Sequence, residues 1–246
     1  MEPEAYKLMN EREGAFWWHA GMRRIIEAQL VRYAPEAHDA VILDAGCGTG
    51  GMFGVLSAYG RVYGIDQSAE AVRFAGEKNI AERVERGSVT ELPYADNTFD
   101  VITCLDVLYH AKVGNDVQAL KEFNRVLRPG GVLIVREPAY NWLRGHQDKV
   151  VWTKKRYAKK ELVAQLEKAG FEIEKASHVN FFLLPLAILK RLSERVYHPK
   201  DIMGNTFYAN PILNTLFKNV LFAEAKILPY INFPFGLSVL CVARKK

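Results

Sequence analysis

Six residues, Gly46 to Gly51, read GCGTGG and carry four glycines. They follow the apolar run Val41 to Leu43 and an acid, Asp44, so VILDAGCGTGG reads as a buried parallel strand emptying into a tight turn. Glycine lets the backbone take positive φ and lets a ligand approach with no Cβ in the way. A helix opening near Gly50 would direct its free N–H groups at that ligand. Gly46, Gly48 and Gly51 satisfy the dinucleotide spacing GxGxxG. Asp44 argues for another ligand class: a carboxylate this close would repel a pyrophosphate, whereas it suits a ligand carrying an amino group, directly or through water. A second acid, Asp66, ends the run RVYGID, 16 residues beyond Gly50. At the end of a second strand it would accept hydrogen bonds from both ribose hydroxyls of a nucleoside. Gln67 follows, placed to cover an adenine face.

The motif DAGCGTG resembles the first motif of the class I S-adenosylmethionine (SAM) dependent methyltransferases. The Leu92-Pro93 turn, the Phe99-Asp100 start of a strand, Asp106 at that strand's end and the LRPGG-strand unit from Leu127 resemble further motifs of the family. The resemblance is strong over residues 41 to 137 and loose over most of the remainder, and it is to the methyltransferase type 11-like group. It implies SAM as cofactor, with Asp44, Gly46, Cys47, Gly48, Asp66, Gln67, Ser88, Val89 and Leu105 at the site. Relatives commonly carry Asp where Ser88 stands, which shifts adenine recognition toward a hydroxyl and backbone N–H groups. Arg23, with Arg24, would offer a fork to the SAM carboxylate; a solvated helix charge is the alternative. The flanks FWWHAGMRRI and KKRYAKKEL look like a bacterial and archaeal subgroup with mostly unassigned substrates, in which a His precedes an Arg-Arg-Tyr signature; here Trp152 stands in the place of that His.

Methyl transfer is an in-line displacement at an activated carbon, so the protein mainly positions the acceptor and excludes water. An oxygen or carbon acceptor also gives up a proton. Its receiver must lie past the fourth and fifth strands, where Tyr109, His110, Tyr140, His146 and Asp148 stand; His110, Tyr140 and Asp148 are the expected catalytic residues. No Ser-His-Asp set, P-loop or metal-ligand cluster is visible. Two other functions use the same residues: a protein that keeps SAM without catalysis, and a nucleotide-dependent oxidoreductase, against which Asp44 and the stretch Leu92 to Asp106 argue.

These residues need an α/β scaffold. Hydrophobic runs alternating with helical patterns predict a Rossmann-like, doubly wound, seven-stranded sheet, and a last strand added after a long excursion would be antiparallel; the family resemblance implies that it slots between the fifth and sixth. One domain is expected: a lid helix within 1–37, a cofactor-binding core over 38–180, a helical cap insertion over 181–229 and a final strand within 230–246. The lid rests on the helix-like spacing of Phe16, Trp17, Ile25, Ile26, Leu30 and Val31.

Charge is uneven. Residues 1–100 hold 10 Lys and Arg against 16 Asp and Glu, whereas the rest hold 23 against 12, densest from Arg144 to Lys160. A solvated surface, an acidic substrate and an anionic membrane face all suit such a patch. The cap's apolar run, Phe181 to Leu189, is interrupted by Pro185 and too short to span a bilayer, where roughly 18 residues are needed. It either covers the sheet and walls a small-molecule pocket, or lines a channel for a lipid-like acceptor and rests on a membrane. No nucleic-acid partner is expected. The polar N-terminus and three dispersed cysteines point to a cytoplasmic protein without disulfides.

Overall fold

The computed structural model describes residues 3–34, 39–196 and 210–246. Its sheet holds seven strands: β1 (Ala40–Ala45), β2 (Gly60–Asp66), β3 (Arg83–Arg86), β4 (Phe99–Leu105), β5 (Leu127–Pro138), β6 (Phe171–Val179) and β7 (Ser238–Lys245). Their order is β3-β2-β1-β4-β5-β7-β6, with β7 antiparallel to both neighbours, as the resemblance implies. β1 is buried at every position because helices cover both faces of the sheet. Alternation then sends Ile42 to one layer, with Val101, Ile134 and Leu240, and Leu43 to the other, with Ile102, Leu133 and Val239.

The helices fall into two layers. On the Leu43 side, α5 (Asp116–Val126) and α7 (Lys159–Lys168) bury Leu120, Phe123, Leu162 and Leu166. On the Ile42 side, α2 (Trp17–Tyr33), the single turn α3 (Phe53–Leu56) and α9 (Pro211–Ile227) bury Ile25, Ile26, Phe53 and Leu221. α1 (Pro3–Arg12), α4 (Ala69–Glu77), α6 (His146–Val150) and α8 (Leu184–Val196) complete the set. Ser68 caps α4, its hydroxyl accepting from the Ala71 N–H.

Two expectations need correction. The N-terminal lid is two helices, α1 and α2, and the polar α1 is held by tertiary contacts its own pattern does not show. The helix expected near Gly50 begins at Phe53 and lasts one turn, and the glycine turn spends its N–H groups within the fold, Gly46 and Cys47 donating to the Ile65 carbonyl and Gly50 to that of Cys47. β3 stops at Arg86 because the Ser88 hydroxyl turns the chain, accepting from the Thr90 N–H. β5 starts at Leu127, since the chain extends directly out of α5 and pairs Leu127 with Phe99 before the Arg128-Pro129-Gly130-Gly131 segment. Residues 197–209 of the expected cap lie outside the described residues.

The cap is anchored by a carboxylate. Glu224 of α9, fully buried, accepts from the N–H groups of Asn180, Phe181 (3.0 Å) and Phe182 (3.4 Å) at the end of β6. Glu224→Ala should strand these donors at about 1–3 kcal/mol each and destabilise the protein by roughly 3 kcal/mol or more, whereas Glu224→Gln, which keeps one acceptor oxygen, should cost less. Urea unfolding measures both; equal midpoints for Ala and Gln would contradict the anchoring role.

Candidate functional site

The turn after β1 is shaped by three glycines at positive φ: Gly46 (78°), Gly48 (54°) and Gly50 (77°). A Cβ on Gly46 would meet Val107 at 2.3 Å, so this position is closed by packing. Gly48 is different, with only Met9 Cε (3.2 Å) near its absent Cβ. Its N–H donates to Asp66 Oδ2 (3.0 Å), while Oδ1 of the same carboxylate accepts from the Ser68 N–H (2.9 Å). One side chain thus fixes the turns after β1 and β2 together. Burial raises the Asp66 pKa against the opposing effect of these hydrogen bonds.

Above the turn lies a cavity of about 330 Å³, at the carboxyl ends of β1, β2 and β4. α1 and α2 roof it with Tyr6, Met9, Trp18, His19 and Met22. The roof is latched at Glu13: its buried carboxylate accepts from Thr49 Oγ1 (2.6 Å) and pairs with Lys78, and its carbonyl accepts from Arg23 (2.8 Å).

Of the expected cofactor residues, Asp44, Gly46, Cys47, Gly48, Asp66, Gln67, Val89, Leu105 and Arg23 line this cavity. Asp44, 3% exposed, sits across from Thr103 in the β1–β4 register and accepts from its hydroxyl at 2.7 Å. Burial pushes its pKa up to about 7, although that hydrogen bond opposes the rise. Ser88 is not on the cavity wall. Its hydroxyl is 3.1 Å from the Gln67 amide and 2.7 Å from the Thr90 hydroxyl, so it orients Gln67 instead of facing a base. The paired fork is not formed either, because Arg24 points to solvent and bonds Glu27.

The catalytic expectations fare differently. His110 lines the cavity, with Nδ1 accepting from the Lys112 N–H (3.1 Å), and burial pushes its pKa down to about 4. Tyr140 is turned away: positive φ (59°) at the end of β5 sends its ring onto His178 of β6, its hydroxyl 3.0 Å from Nε2. Asp148 is committed to structure, bonding Arg156 through both oxygens (2.8 and 3.1 Å) and the Gly145 N–H (2.8 Å). Burial alone would raise its pKa, but the Arg156 guanidinium holds it below the usual carboxylate value. The side chain of His146 lies outside the described residues.

A second cavity, about 340 Å³, adjoins the first and shares Met9, Trp18, His19, Asp106, Tyr109 and Val151 with it. Its other walls combine apolar side chains, Trp17, Leu143, Leu183, Leu186 and Phe217, with charged ones, Arg12, Asp148, Arg156, Lys190 and Arg191. Leu183 and Leu186 belong to the apolar run expected to wall a pocket or line a channel; the wall shared with the first cavity was not read from the sequence. The spacing His19, Met22, Ile26 places the imidazole on the inward stripe of α2 and was the available signal. The wall is held by Glu137, fully buried, which accepts from the N–H groups of Val107 (3.1 Å), Leu108 (2.8 Å) and Tyr109 (3.0 Å). Burial pushes its pKa up to about 8.

Residues 43–135 match the methyltransferase domain family. The chain is 30% identical over 181 residues to a protein of Mycolicibacterium smegmatis named probable S-adenosylmethionine-dependent methyltransferase, covering 70% of this chain and 68% of that one. The chain belongs to the SAM-dependent methyltransferases. It is also 37% identical over 124 residues to the ubiquinone/menaquinone biosynthesis C-methyltransferase of Bdellovibrio bacteriovorus, 48% of this chain and 52% of the relative. Five of the first curated relatives are matched over only 31 to 53% of their own length. In fold the chain is similar to a SAM-dependent methyltransferase of Thermotoga maritima, which superposes with a TM-score of 0.60, covering 98% of this chain and 97% of that one at 21% identity.

The cofactor of this family is SAM, and the first cavity fits it. At Gly48 only the flexible end of Met9 stands near the absent Cβ, so a ligand can approach the backbone; Asp44 is a buried carboxylate able to face an ammonium, and Asp66 lines the cavity within reach of a nucleoside's hydroxyls. Asp66→Ala should weaken SAM binding roughly 10- to 150-fold, the loss of about 1.5–3 kcal/mol from hydrogen bonds to a charged group; calorimetry showing unchanged affinity would remove Asp66 from the site. A pH series tests Asp44. A ligand ammonium favours the ionised carboxylate, so binding lowers the Asp44 pKa from about 7 and releases a proton, and affinity rises with pH. From pH 6 to 7.5 the gain should be roughly tenfold in wild type and absent in Asp44→Asn. Identical pH profiles would contradict the assignment.

Proposed function

We propose that this chain is an enzyme that moves a methyl group from SAM in the first cavity to a small-molecule or lipid-like acceptor in the second. The observation that carries the reading is the shared wall: two cavities of similar volume, one at the strand ends and one among the added helices, meet at His19, Asp106 and Tyr109. Bound there, SAM supplies a methyl carbon already activated by its sulfonium. The protein's share is positioning and exclusion of water. Asp44, Asp66, Gln67 and the glycine turn hold the cofactor, Glu137 fixes the wall that both ligands touch, and α1 with the Glu13 latch covers the site. The Bdellovibrio relative is named for methylation in ubiquinone and menaquinone biosynthesis, and an apolar acceptor of that kind suits walls of Trp17, Leu183, Leu186 and Phe217.

Incubation with methyl-labelled SAM and an organic-solvent extract of cell metabolites tests this. Labelled product formed together with demethylated cofactor is expected. Tight SAM binding without turnover on any fraction would favour a binding protein, and NAD binding without SAM binding an oxidoreductase.

A second reading concerns where the acceptor is met. The cap has two apolar faces: Leu183, Leu186 and Ala187 line the chamber, while Leu189 (64% exposed), Leu192, Ile212 (77%) and Leu216 face outward. No described helix is long and apolar enough to cross a membrane. We infer that this outer face rests on a membrane surface, with the cations of the cap, such as Lys218, meeting anionic headgroups. Within the 144–160 stretch Lys155 is paired with Asp116 and Glu161, and Arg156 with Asp148, so these two cations are already engaged. Flotation with anionic liposomes should show attachment that weakens as salt rises, each cation near the surface contributing about 1 kcal/mol. Equal recovery in the lipid-free fraction at low and high salt would contradict it.

A further inference from the structure

Six buried side-chain polar atoms among the described residues lack a hydrogen-bond partner, and two of them belong to cavity-lining residues: Arg136 Nη1 and Trp17 Nε1. Both are donors. The oxygens among the six, on Gln29, Tyr94, Gln165 and Asn180, lie away from either cavity. Buried donors without partners are costly and call for an explanation. Here the cavities themselves provide one, because a ligand that brings oxygen acceptors would satisfy them.

Arg136 is the more informative. It ends the inward part of β5, opposite Leu105 in the register, and is 6% exposed. Its Nε (3.3 Å) and Nη2 bond the Asp106 carboxylate, and the Asp106 N–H returns to the Arg136 carbonyl (2.7 Å). This pairing consumes one edge of the guanidinium and leaves Nη1. Asp106 and His19 line both cavities, whereas Arg136 lines the first alone, so the guanidinium stands on the cofactor side of the shared wall, behind Asp106. The charged groups acting on His19 are Arg23, Arg136 and Asp106; burial first, then the two arginines, push its pKa down to about 4, so at neutral pH it adds no charge.

We propose that Arg136 and His19 form an acceptor-oxygen subsite, at which an apolar acceptor presents an ionised oxygen, a carboxylate or phenolate, to the free edge of the guanidinium. The inference rests on the function proposed above and names its substrate class. A charge-assisted N–H to an oxyanion is a strong contact in a buried setting, and it disfavours an ammonium at the same point. An acceptor already ionised gives up no proton: its oxygen lone pair forms the new bond to the methyl carbon, and the broken C–S pair stays on sulfur. The chain then needs no strong base, in keeping with the commitment of Asp148 to Arg156 and the turning away of Tyr140. The apolar remainder of the acceptor would lie along Leu183, Leu186 and Phe217, with Trp17 Nε1 available to a second oxygen.

Dodecanoate and dodecylamine, matched in chain length, probe the subsite by calorimetry with and without S-adenosylhomocysteine. Dodecanoate should bind at least tenfold tighter than dodecylamine. Arg136→Lys keeps a cation beside Asp106 but removes the second edge; it should weaken dodecanoate at least tenfold and change S-adenosylhomocysteine affinity by less than threefold, with thermal melting confirming the fold. Three results would overturn the proposal: no dodecanoate binding, equal or tighter dodecylamine binding, or a variant that loses S-adenosylhomocysteine while keeping dodecanoate, which would give the guanidinium to the cofactor. Failure of wild type to bind S-adenosylhomocysteine would instead strike the function reading, leaving the carboxylate-against-amine comparison to decide the subsite.

Discussion

Buried carboxylates that accept backbone N–H groups hold this molecule's functional end together. Asp66 ties the glycine turn after β1 to the start of α4, Glu137 gathers the chain after β4, and Glu224 ties the cap to the end of β6. In each case a loop that the sheet cannot organise borrows acceptors from a side chain on a rigid element. The arrangement places charge where burial opposes it, and burial raises the pKa of all three. Loops held this way are both close to the ligand and fixed before it arrives, which is what positioning chemistry requires.

The strands were legible because a parallel sheet covered on both faces demands continuous apolar runs, and Val41 to Leu43 and Val132 to Val135 supply them. The antiparallel seat of β7 and the cofactor wall were legible through the resemblance carried by DAGCGTG and LRPGG. What escaped reading depends on partners distant in the chain. α1 is a polar segment whose place over the cavity comes from Glu13 meeting Thr49 and Lys78. Asp148 looked like a free acid until Arg156 folded back onto it. Tyr140 stood at the right place in sequence, yet one residue of positive φ turned its ring to His178. Ser88 occupied an adenine-recognition position but serves Gln67.

The two cavities differ in the elements that build them. The first takes its polar groups from strand ends, where register fixes them to within a side chain's reach, as with Asp44 against Thr103. The second is built largely from helices added to the core sheet, α1, α2, α8 and α9, so its shape is set by packing of aromatic and branched side chains. A family that keeps the strand ends and varies the added helices can keep one cofactor while changing acceptors. Gly21 shows how closely the added helices fit: a Cβ there would lie 2.2 Å from Leu221 across the α2–α9 contact.

The most direct test of the account is a crystal structure of the protein with S-adenosylhomocysteine. The account predicts the ligand in the cavity beneath α1, its amino group toward Asp44, its ribose toward Asp66 and its sulfur toward the wall of His19 and Asp106. Density for the ligand in the second cavity, or with its ribose away from Asp66, would contradict it.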